Sequence, residues 1–149
     1  LSRELFHYKI VDAYTDVNTR IIIGKSEDVF TASDVALVCS GTATLECALC
    51  GTPMVVGYKM AQLSYHLIRS MIKVSHVALP NILSEKEIVP ELIQKEMTPA
   101  AIAKAAEKWF VDSRARKDFQ INSRRLHLLL RREASDRAAA AVWDLVGSK

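Results

Sequence analysis

Hydroxyl groups, a glycine and a carboxylate stand close together in the segment Ser40-Gly41-Thr42-Ala43-Thr44-Leu45-Glu46. Gly41 allows the backbone to turn sharply and to approach a ligand closely. Free amide groups at the start of a helix, together with the positive end of its dipole, attract phosphate. The segment therefore predicts a phosphate-binding turn, with Glu46 placed to accept hydrogen bonds from two ribose hydroxyls.

The same residues also have a purely structural interpretation. Ser40 can cap the helix, Gly41 can form a tight turn, and Glu46 can complement the helix dipole. A single glycine is a much weaker indication of nucleotide binding than the pattern G-x-G-x-x-G. From spacing alone, both interpretations stay open.

Further polar side chains follow two other predicted strands. Tyr58 and Lys59 come directly after an apolar run, where Lys59 can neutralise a phosphate and Tyr58 can wall a pocket. Asn81 follows Pro80, and its amide can read a base or bridge a phosphate. The structural alternatives are a strand-end turn with a solvated lysine and an ordinary turn at the asparagine.

The cysteines and histidines indicate little reactive chemistry. Cys47 and Cys50 form C-x-x-C late in a predicted helix, whereas a redox pair needs its reactive thiolate at a helix N-terminus. With Cys39 there are three thiols and no closely spaced fourth ligand, so no metal site is expected. An odd, small number of cysteines predicts reduced, buried thiols in a cytoplasm-like compartment. The histidines at positions 7, 66, 76 and 127 show no pair spacing.

The elements that must position these groups alternate between strands and helices. Short runs rich in apolar and β-branched residues predict four strands, and the segments between them have helical spacing. The predicted strands are Thr19–Gly24, Asp34–Cys39, Pro53–Gly57 and His76–Leu79, and the predicted helices are 4–14, 26–30, 42–50 and 62–73. This alternation predicts an α/β fold with a parallel sheet that is covered on both faces.

The rest of the chain is predicted to be helical. Residues 85–110 give two helices separated by Met97-Thr98-Pro99, with Thr98 as N-cap and Pro99 at the first helical position. Residues 113–146 give further helices. A nucleotide-binding half normally has five or six strands. Four strands therefore predict a truncated Rossmann-like domain over 1–110, without its first strand and phosphate loop, followed by a basic helical tail over 111–149.

Composition and charge restrict the class of protein. The 149 residues are 50% hydrophobic and 25% charged, with 5 Gly and 4 Pro, which excludes a disordered or collagen-like chain. Residues 1–110 carry 11 Lys/Arg against 12 Asp/Glu, and residues 111–149 carry 9 against 5. The basic excess of the tail is compatible with a solvated or partner-packed helix face, with an anionic membrane surface, or with nucleic acid.

Three motifs, in their order and at their spacing, resemble the lipid-A-disaccharide synthases. They are Ala32-Ser33-Asp34-Val35-Ala36-Leu37 leading into the Ser40–Glu46 segment, then Pro53-Met54-Val55-Val56-Gly57-Tyr58, then Leu79-Pro80-Asn81-Ile82-Leu83. The resemblance covers residues from about 19 to 110, and the tail resembles the family's C-terminal helices more loosely. The combination is specific, although no single motif would be.

The resemblance implies a glycosyltransferase-B architecture of two Rossmann-like domains. It implies inverting transfer of 2,3-diacylglucosamine from UDP to 2,3-diacylglucosamine 1-phosphate, without a metal or other cofactor. By position, the Ser40–Glu46 segment would hold the diphosphate and ribose, and Tyr58 and Asn81 would border the nucleotide pocket. It also implies a cytoplasmic protein, peripheral at the inner membrane, in which C-terminal helices can be exchanged within a homodimer.

The resemblance also defines what this chain is expected to lack. The acidic residue expected to act as catalytic base, and the surface for the lipid acceptor, belong to an N-terminal domain that is absent from this sequence. We therefore expect a donor-binding half-site without catalysis in the isolated chain. The alternative is a non-catalytic nucleotide-binding or assembly module whose basic tail contacts a membrane or a partner. Nucleic-acid binding through the tail is the least favoured interpretation.

Overall fold

The computed structural model describes residues 18–39, 41–61, 76–131, 139 and 142–144. In this part of the chain, three parallel strands form one sheet in the order β1-β2-β3. The strands are Ala36–Cys39 (β1), Met54–Tyr58 (β2) and Glu91–Ile93 (β3). The helices are Ser26–Thr31 (α1), Thr42–Leu49 (α2), Leu79–Ser84 (α3), Pro99–Val111 (α4) and Ser113–Leu130 (α5), with a 3-10 turn at Gln94–Glu96. The α/β class with a parallel sheet is confirmed.

The register of the sheet brings the ends of β1 and β2 together. Ala36 pairs with Met54, and Cys39 pairs with Gly57. β3 is shorter and pairs with the second half of β2, from Val56 to Tyr58. Because the strands are parallel, the segments that follow β1 and β2 leave the sheet at the same edge.

Helix α4 is fixed to the central strand by a buried tryptophan. The indole Nε1–H of Trp109 donates to the carbonyl oxygen of Met54 at 3.0 Å. Its ring packs edge-to-face on Phe119 of α5, with centroids 5.6 Å apart. A buried indole needs an acceptor for its N–H, so this contact specifies where α4 crosses β2.

Helix α5 packs into the same core through a narrow stripe. Phe119, Ser123 and Leu126 are buried at helical spacing, and the Ser123 hydroxyl donates to the carbonyl oxygen of Ala48 at the end of α2. The stripe does not continue beyond Leu126, because Leu129 and Leu130 are exposed. The division of the chain at residue 110 stays a prediction, although α5 shares the core of the sheet.

Two predicted strands are wrong. Residues 18–24 do not join the described sheet, and Ile22 and Ile23 are exposed. In the run His76–Leu79, residues 76–78 form a loop and Leu79 begins α3. Pro80 lies in the first turn of that helix, where a missing N–H costs nothing. The sheet therefore has three strands in the described residues, not four.

The third strand lies where a helix was expected. Residues 85–97 contain β3 and the 3-10 turn instead of the first of two predicted helices. Pro90 immediately precedes β3, a position where proline is tolerated, and its carbonyl accepts a hydrogen bond from Val56 N at 2.9 Å. The prediction for β1 is also partly wrong, because only alternate residues are buried and Leu37 is 65% exposed.

The helices around the sheet are mostly as predicted. α1, α2 and α4 are confirmed, and the Thr98 hydroxyl caps α4 by accepting from Ala101 N at 3.2 Å. The tail helix is confirmed as far as Leu130, and residues 139 and 142–144 are also helical. The predicted helices over 4–14 and 62–73 lie outside the described residues.

The contact between Trp109 and Met54 makes a first prediction. Trp109→Phe keeps an aromatic ring against Phe119 but leaves the Met54 carbonyl without its partner, so we expect the free energy of unfolding to fall by about 1–3 kcal/mol. Phe110→Ala is the matched control, because Phe110 is the next residue of α4 and is 63% exposed. Urea unfolding measures both variants. Equal losses in the two variants would contradict the role of the indole.

Candidate functional site

The turn between β1 and α2 is open and depends on glycine. Gly41, the N-cap of α2, has φ 140° and ψ −165°, a conformation that residues with a side chain rarely adopt. It is exposed, and a Cβ built there would meet no atom within 4 Å. The preceding residue, Ser40, lies outside the described residues. The corner at which a phosphate was predicted is therefore free of protein side chains in the described part of the chain.

Helix α2 begins beneath this corner without a side-chain cap. Thr42 is exposed and Ala43 is half-buried, and their amide groups have no carbonyl of the helix before them to bond. The predicted role of Thr44 as a ligand hydroxyl is not supported: this residue is fully buried, and its Oγ1 donates to the Gly41 carbonyl at 2.7 Å. Thr44 therefore stabilises the turn from inside.

Glu46 lies on the exposed side of α2 and is already held by a neighbouring helix. Its Oε1 accepts a hydrogen bond from the Ser26 hydroxyl at 2.7 Å. Thr42 stands one turn earlier on α2, so the two side chains share a helix face. The carboxylate is thus oriented by α1 and accessible to solvent, which leaves it available for further hydrogen bonds.

Tyr58 and Lys59 stand at the neighbouring strand end, as predicted. Tyr58 is the last residue of β2 and is half-buried, whereas Lys59 is exposed. The pairing of Cys39 with Gly57 places them beside the segment that leads to Gly41. The structure therefore brings the predicted phosphate turn and the predicted lysine to one edge of the sheet.

Asn81 has a different place from the one predicted. It is fully buried in α3 and does not follow a strand. Its Nδ2 donates to the Val89 carbonyl and to Glu91 Oε1, both at 2.8 Å. Its Oδ1 accepts from Ile88 N at 2.8 Å and from Val89 N at 3.0 Å. These bonds use the whole amide, so the structure does not favour its predicted contact with a nucleotide.

The partner of Asn81, Glu91, has a structural role that its position in the sequence did not indicate. Its Oε1 accepts from Ala78 N and its Oε2 from Val77 N, both at 2.9 Å, and His76 Nδ1 lies 4.0 Å from Oε1. The carboxylate occupies the N-terminus of α3, where a negative charge is stabilised by the helix dipole. The signal available in the sequence was an acidic residue directly after Val89-Pro90, at the start of a short apolar run.

The thiols of the C-x-x-C motif are not arranged for redox chemistry. Burial, together with the neighbouring Cys50 and Glu46, raises the pKa of the Cys47 thiol to about 12. Burial also raises the pKa of Cys50. Of the three cysteines, only Cys39 is exposed. The prediction of free thiols is confirmed. The prediction that the thiols are buried is confirmed for Cys47 and is wrong for Cys39.

A cavity of about 570 Å³ lies away from this edge. The loop Lys86–Pro90 forms one wall, and helices α4 and α5 form the others, including Lys108, Asp118 and Arg125. Because the loop precedes β3, the cavity lies toward the amino ends of the parallel strands. Its charges are of both signs and indicate no single class of ligand. Among the residues described here, no group of three or more His, Cys, Asp or Glu could hold a metal ion.

A parallel sheet with helices around it, and a glycine turn from β1 into α2, defines the chain as part of a Rossmann-like α/β protein. A family model described as lipid-A-disaccharide synthetase matches residues 2–144. The chain therefore belongs to the lipid-A-disaccharide synthetase family, which confirms the resemblance of its three motifs. Within the described part of the chain, no helix has the length and hydropathy required to span a membrane.

Several relatives are named lipid-A-disaccharide synthase. The protein of Chromobacterium violaceum is 44% identical over 130 residues, which are 87% of this chain and 34% of the relative. That of Neisseria meningitidis serogroup C is 47% identical over 127 residues, 85% of this chain and 33% of the relative. That of Saccharophagus degradans is 36% identical over 141 residues, which are 95% of this chain and 36% of the relative. The chain spans about a third of the length of these relatives.

The burial of the cysteines makes a second prediction. Only thiolates react with maleimides or disulfide reagents at an appreciable rate, so a raised pKa protects a thiol. At pH 8 we expect Cys39 to be labelled first, Cys50 more slowly and Cys47 only after unfolding, as followed by mass spectrometry of the peptides. Cys39→Ser should remove the fast phase. Rapid labelling of Cys47 in the folded chain would contradict the packing of α2 described here.

Proposed function

We propose that this chain binds the UDP portion of a UDP-sugar donor for a lipid-A-disaccharide synthase. The observation that carries the proposal is the exposed, uncapped start of α2 at Gly41, beside Tyr58 and Lys59, in a chain that belongs to this family. The donor would be UDP-2,3-diacylglucosamine, and the transfer to 2,3-diacylglucosamine 1-phosphate would be inverting.

The charges at the edge of the sheet support a site for a diphosphate. The amide groups of Thr42 and Ala43, with the helix dipole, would face one phosphate, and Lys59 would neutralise charge at the next strand end. Such fixed donors also stabilise the UDP leaving group as its charge develops, because they need no reorganisation during the reaction. In this proposal the chain's own donors, and no metal ion, hold the diphosphate.

Glu46 would bind the ribose. A carboxylate can accept two hydrogen bonds at once, which suits a pair of neighbouring hydroxyls. Its hydrogen bond with Ser26 holds it in place before a ligand arrives. The remaining two thirds of the relatives' length would supply the catalytic base and the acceptor surface. The chain alone would therefore bind the donor without transferring its sugar.

Glu46 provides the direct test of donor binding. Glu46→Ala should weaken UDP binding about 10- to 100-fold in isothermal titration calorimetry, because hydrogen bonds to a charged acceptor are lost. Glu107→Ala, which removes an exposed carboxylate from α4, is the matched control and should bind UDP like the wild type. Equal affinity in all three proteins would exclude Glu46 from the site.

Gly41 provides a test of the turn itself. Gly41→Ala places a side chain at φ 140°, so we expect a cost of about 1–3 kcal/mol in folding together with loss of UDP binding. Gly24→Ala is the control, since Gly24 also has a positive φ, 75°, but lies outside the site. UDP affinity that survives in folded Gly41→Ala would contradict a close approach of the phosphate to this backbone.

The exposed part of α5 supports a second function, contact with an anionic membrane. Leu128 is 67% exposed, and the neighbouring Arg124, Arg125 and Arg131 are exposed as well. Apolar side chains flanked by arginines bind the interface of membranes that carry anionic lipids. This contact would keep the donor site near its lipid substrates at the inner membrane. A homodimer that exchanges C-terminal helices stays a prediction.

Vesicle co-sedimentation tests the membrane contact. The chain should bind vesicles that contain phosphatidylglycerol, and 0.5 M salt should release most of it because the attraction is screened. Arg124→Glu/Arg125→Glu should abolish binding, whereas the control Lys104→Glu on α4 should change it little. Binding that is independent of salt and of both arginines would contradict this role for α5.

A further inference from the structure

We propose that Gln94 is a positioning residue for the UDP-binding edge, an inference that rests on the function proposed above. Gln94 comes directly after β3 and begins the 3-10 turn. Its side chain reaches across to Met60, which follows the predicted phosphate-binding Lys59. Its own contacts are with the backbone of the site, so it would act through that backbone and not through the ligand.

The Gln94 side chain makes two hydrogen bonds, one to each backbone polar group of Met60. Gln94 Oε1 accepts from Met60 N at 2.8 Å, and Gln94 Nε2 donates to Met60 O at 3.1 Å. The side chain thus replaces the backbone of a neighbouring strand, at a point where β3 has already turned away from β2. A primary amide has a donor and an acceptor on separate atoms at its tip, which suits this pairing.

The backbone conformation of Gln94 is energetically unfavourable. Its φ is 54°, a left-handed conformation that favours glycine. Glu85 has a similar φ of 53°, but it ends helix α3, where a left-handed residue is common. At Gln94 no preceding α-helix explains the conformation. The side chain instead makes the two hydrogen bonds to Met60, which together form the amide clamp.

The segment that follows β3 also covers Gly57, the residue before Tyr58. A Cβ added to Gly57 would lie 2.9 Å from Cε of Met97, so the Met97 side chain packs over the glycine. Gln94 therefore holds the chain after Lys59, and Met97 packs against the chain before Tyr58. The segment between these two points is the part of β2 and its loop that faces the proposed diphosphate.

Gln94→Gly tests this inference, because it removes the clamp and relieves the positive φ at the same time. We expect the midpoint of thermal unfolding to be unchanged or higher, while UDP affinity in calorimetry falls about tenfold, which corresponds to about 1.4 kcal/mol of binding free energy. Glu85→Gly is the matched control: it also relieves a positive φ, and it should leave UDP affinity unchanged. A merely structural role for Gln94 would move stability and affinity together.

A second measurement follows the clamp without ligand. Hydrogen exchange of the Met60 amide should accelerate at least tenfold in Gln94→Gly and should not change in Glu85→Gly. If wild type and Gln94→Gly bind UDP equally, the inference is overturned while the proposed function stands. If the wild-type chain does not bind UDP, the proposed function fails and the positioning role fails with it.

Discussion

The parallel pairing of β1 with β2 is the constraint on which the rest of the structure depends. Because Cys39 pairs with Gly57, the turn into α2 and the loop after β2 leave the sheet side by side. A shift of one residue would turn the side chains of β1 to the opposite face and remove Ala36 and Val38 from the core. The burial of these two residues therefore fixes the register, and the register fixes which polar groups share an edge.

Two further sets of polar contacts hold the sheet's surroundings in place. Glu91 and Asn81 tie the start of α3 to β3, where the half-buried Glu91 carboxylate is stabilised by backbone N–H groups and an amide. A charge that is partly removed from water is tolerated because its oxygens have donors. At the start of β2, Trp109 holds α4 through the Met54 carbonyl. The sheet is small, and these side-chain contacts supply much of its specificity.

The sequence predicted the elements whose signals are local. β1, α2, β2 and α4 follow from apolar runs, helix spacing and the Thr98-Pro99 start, and the shared edge of Gly41 and Tyr58 follows from parallel topology. β3 was missed because Pro90 and Glu91 interrupt its apolar pattern. Both residues have partners that are distant in sequence. The Pro90 carbonyl bonds to Val56, and the Glu91 carboxylate bonds to the start of α3. Long-range pairing of this kind has no local signal.

The candidate site divides in the same way. The glycine at the turn could be predicted because a positive φ has a residue preference, and the exposed Glu46 and Lys59 could be predicted from their positions. The inward bond of Thr44 and the burial of Asn81 could not, because a hydroxyl or an amide serves a ligand or the backbone equally well until its neighbours are known. In the proposed function, UDP would bind at the edge where the turn into α2 and the end of β2 lie side by side.

Titration of the ¹⁵N-labelled chain with UDP, followed by two-dimensional NMR, tests the central claim most directly. We predict that the largest shift changes fall on the amides of Gly41, Thr42, Ala43 and Glu46 and on those of Tyr58 to Met60. Changes confined to Lys86–Pro90, at the cavity beside α4 and α5, would place the ligand at the wrong end of the sheet. That result, or no change at millimolar UDP, would contradict a donor site at the edge formed by β1 and β2.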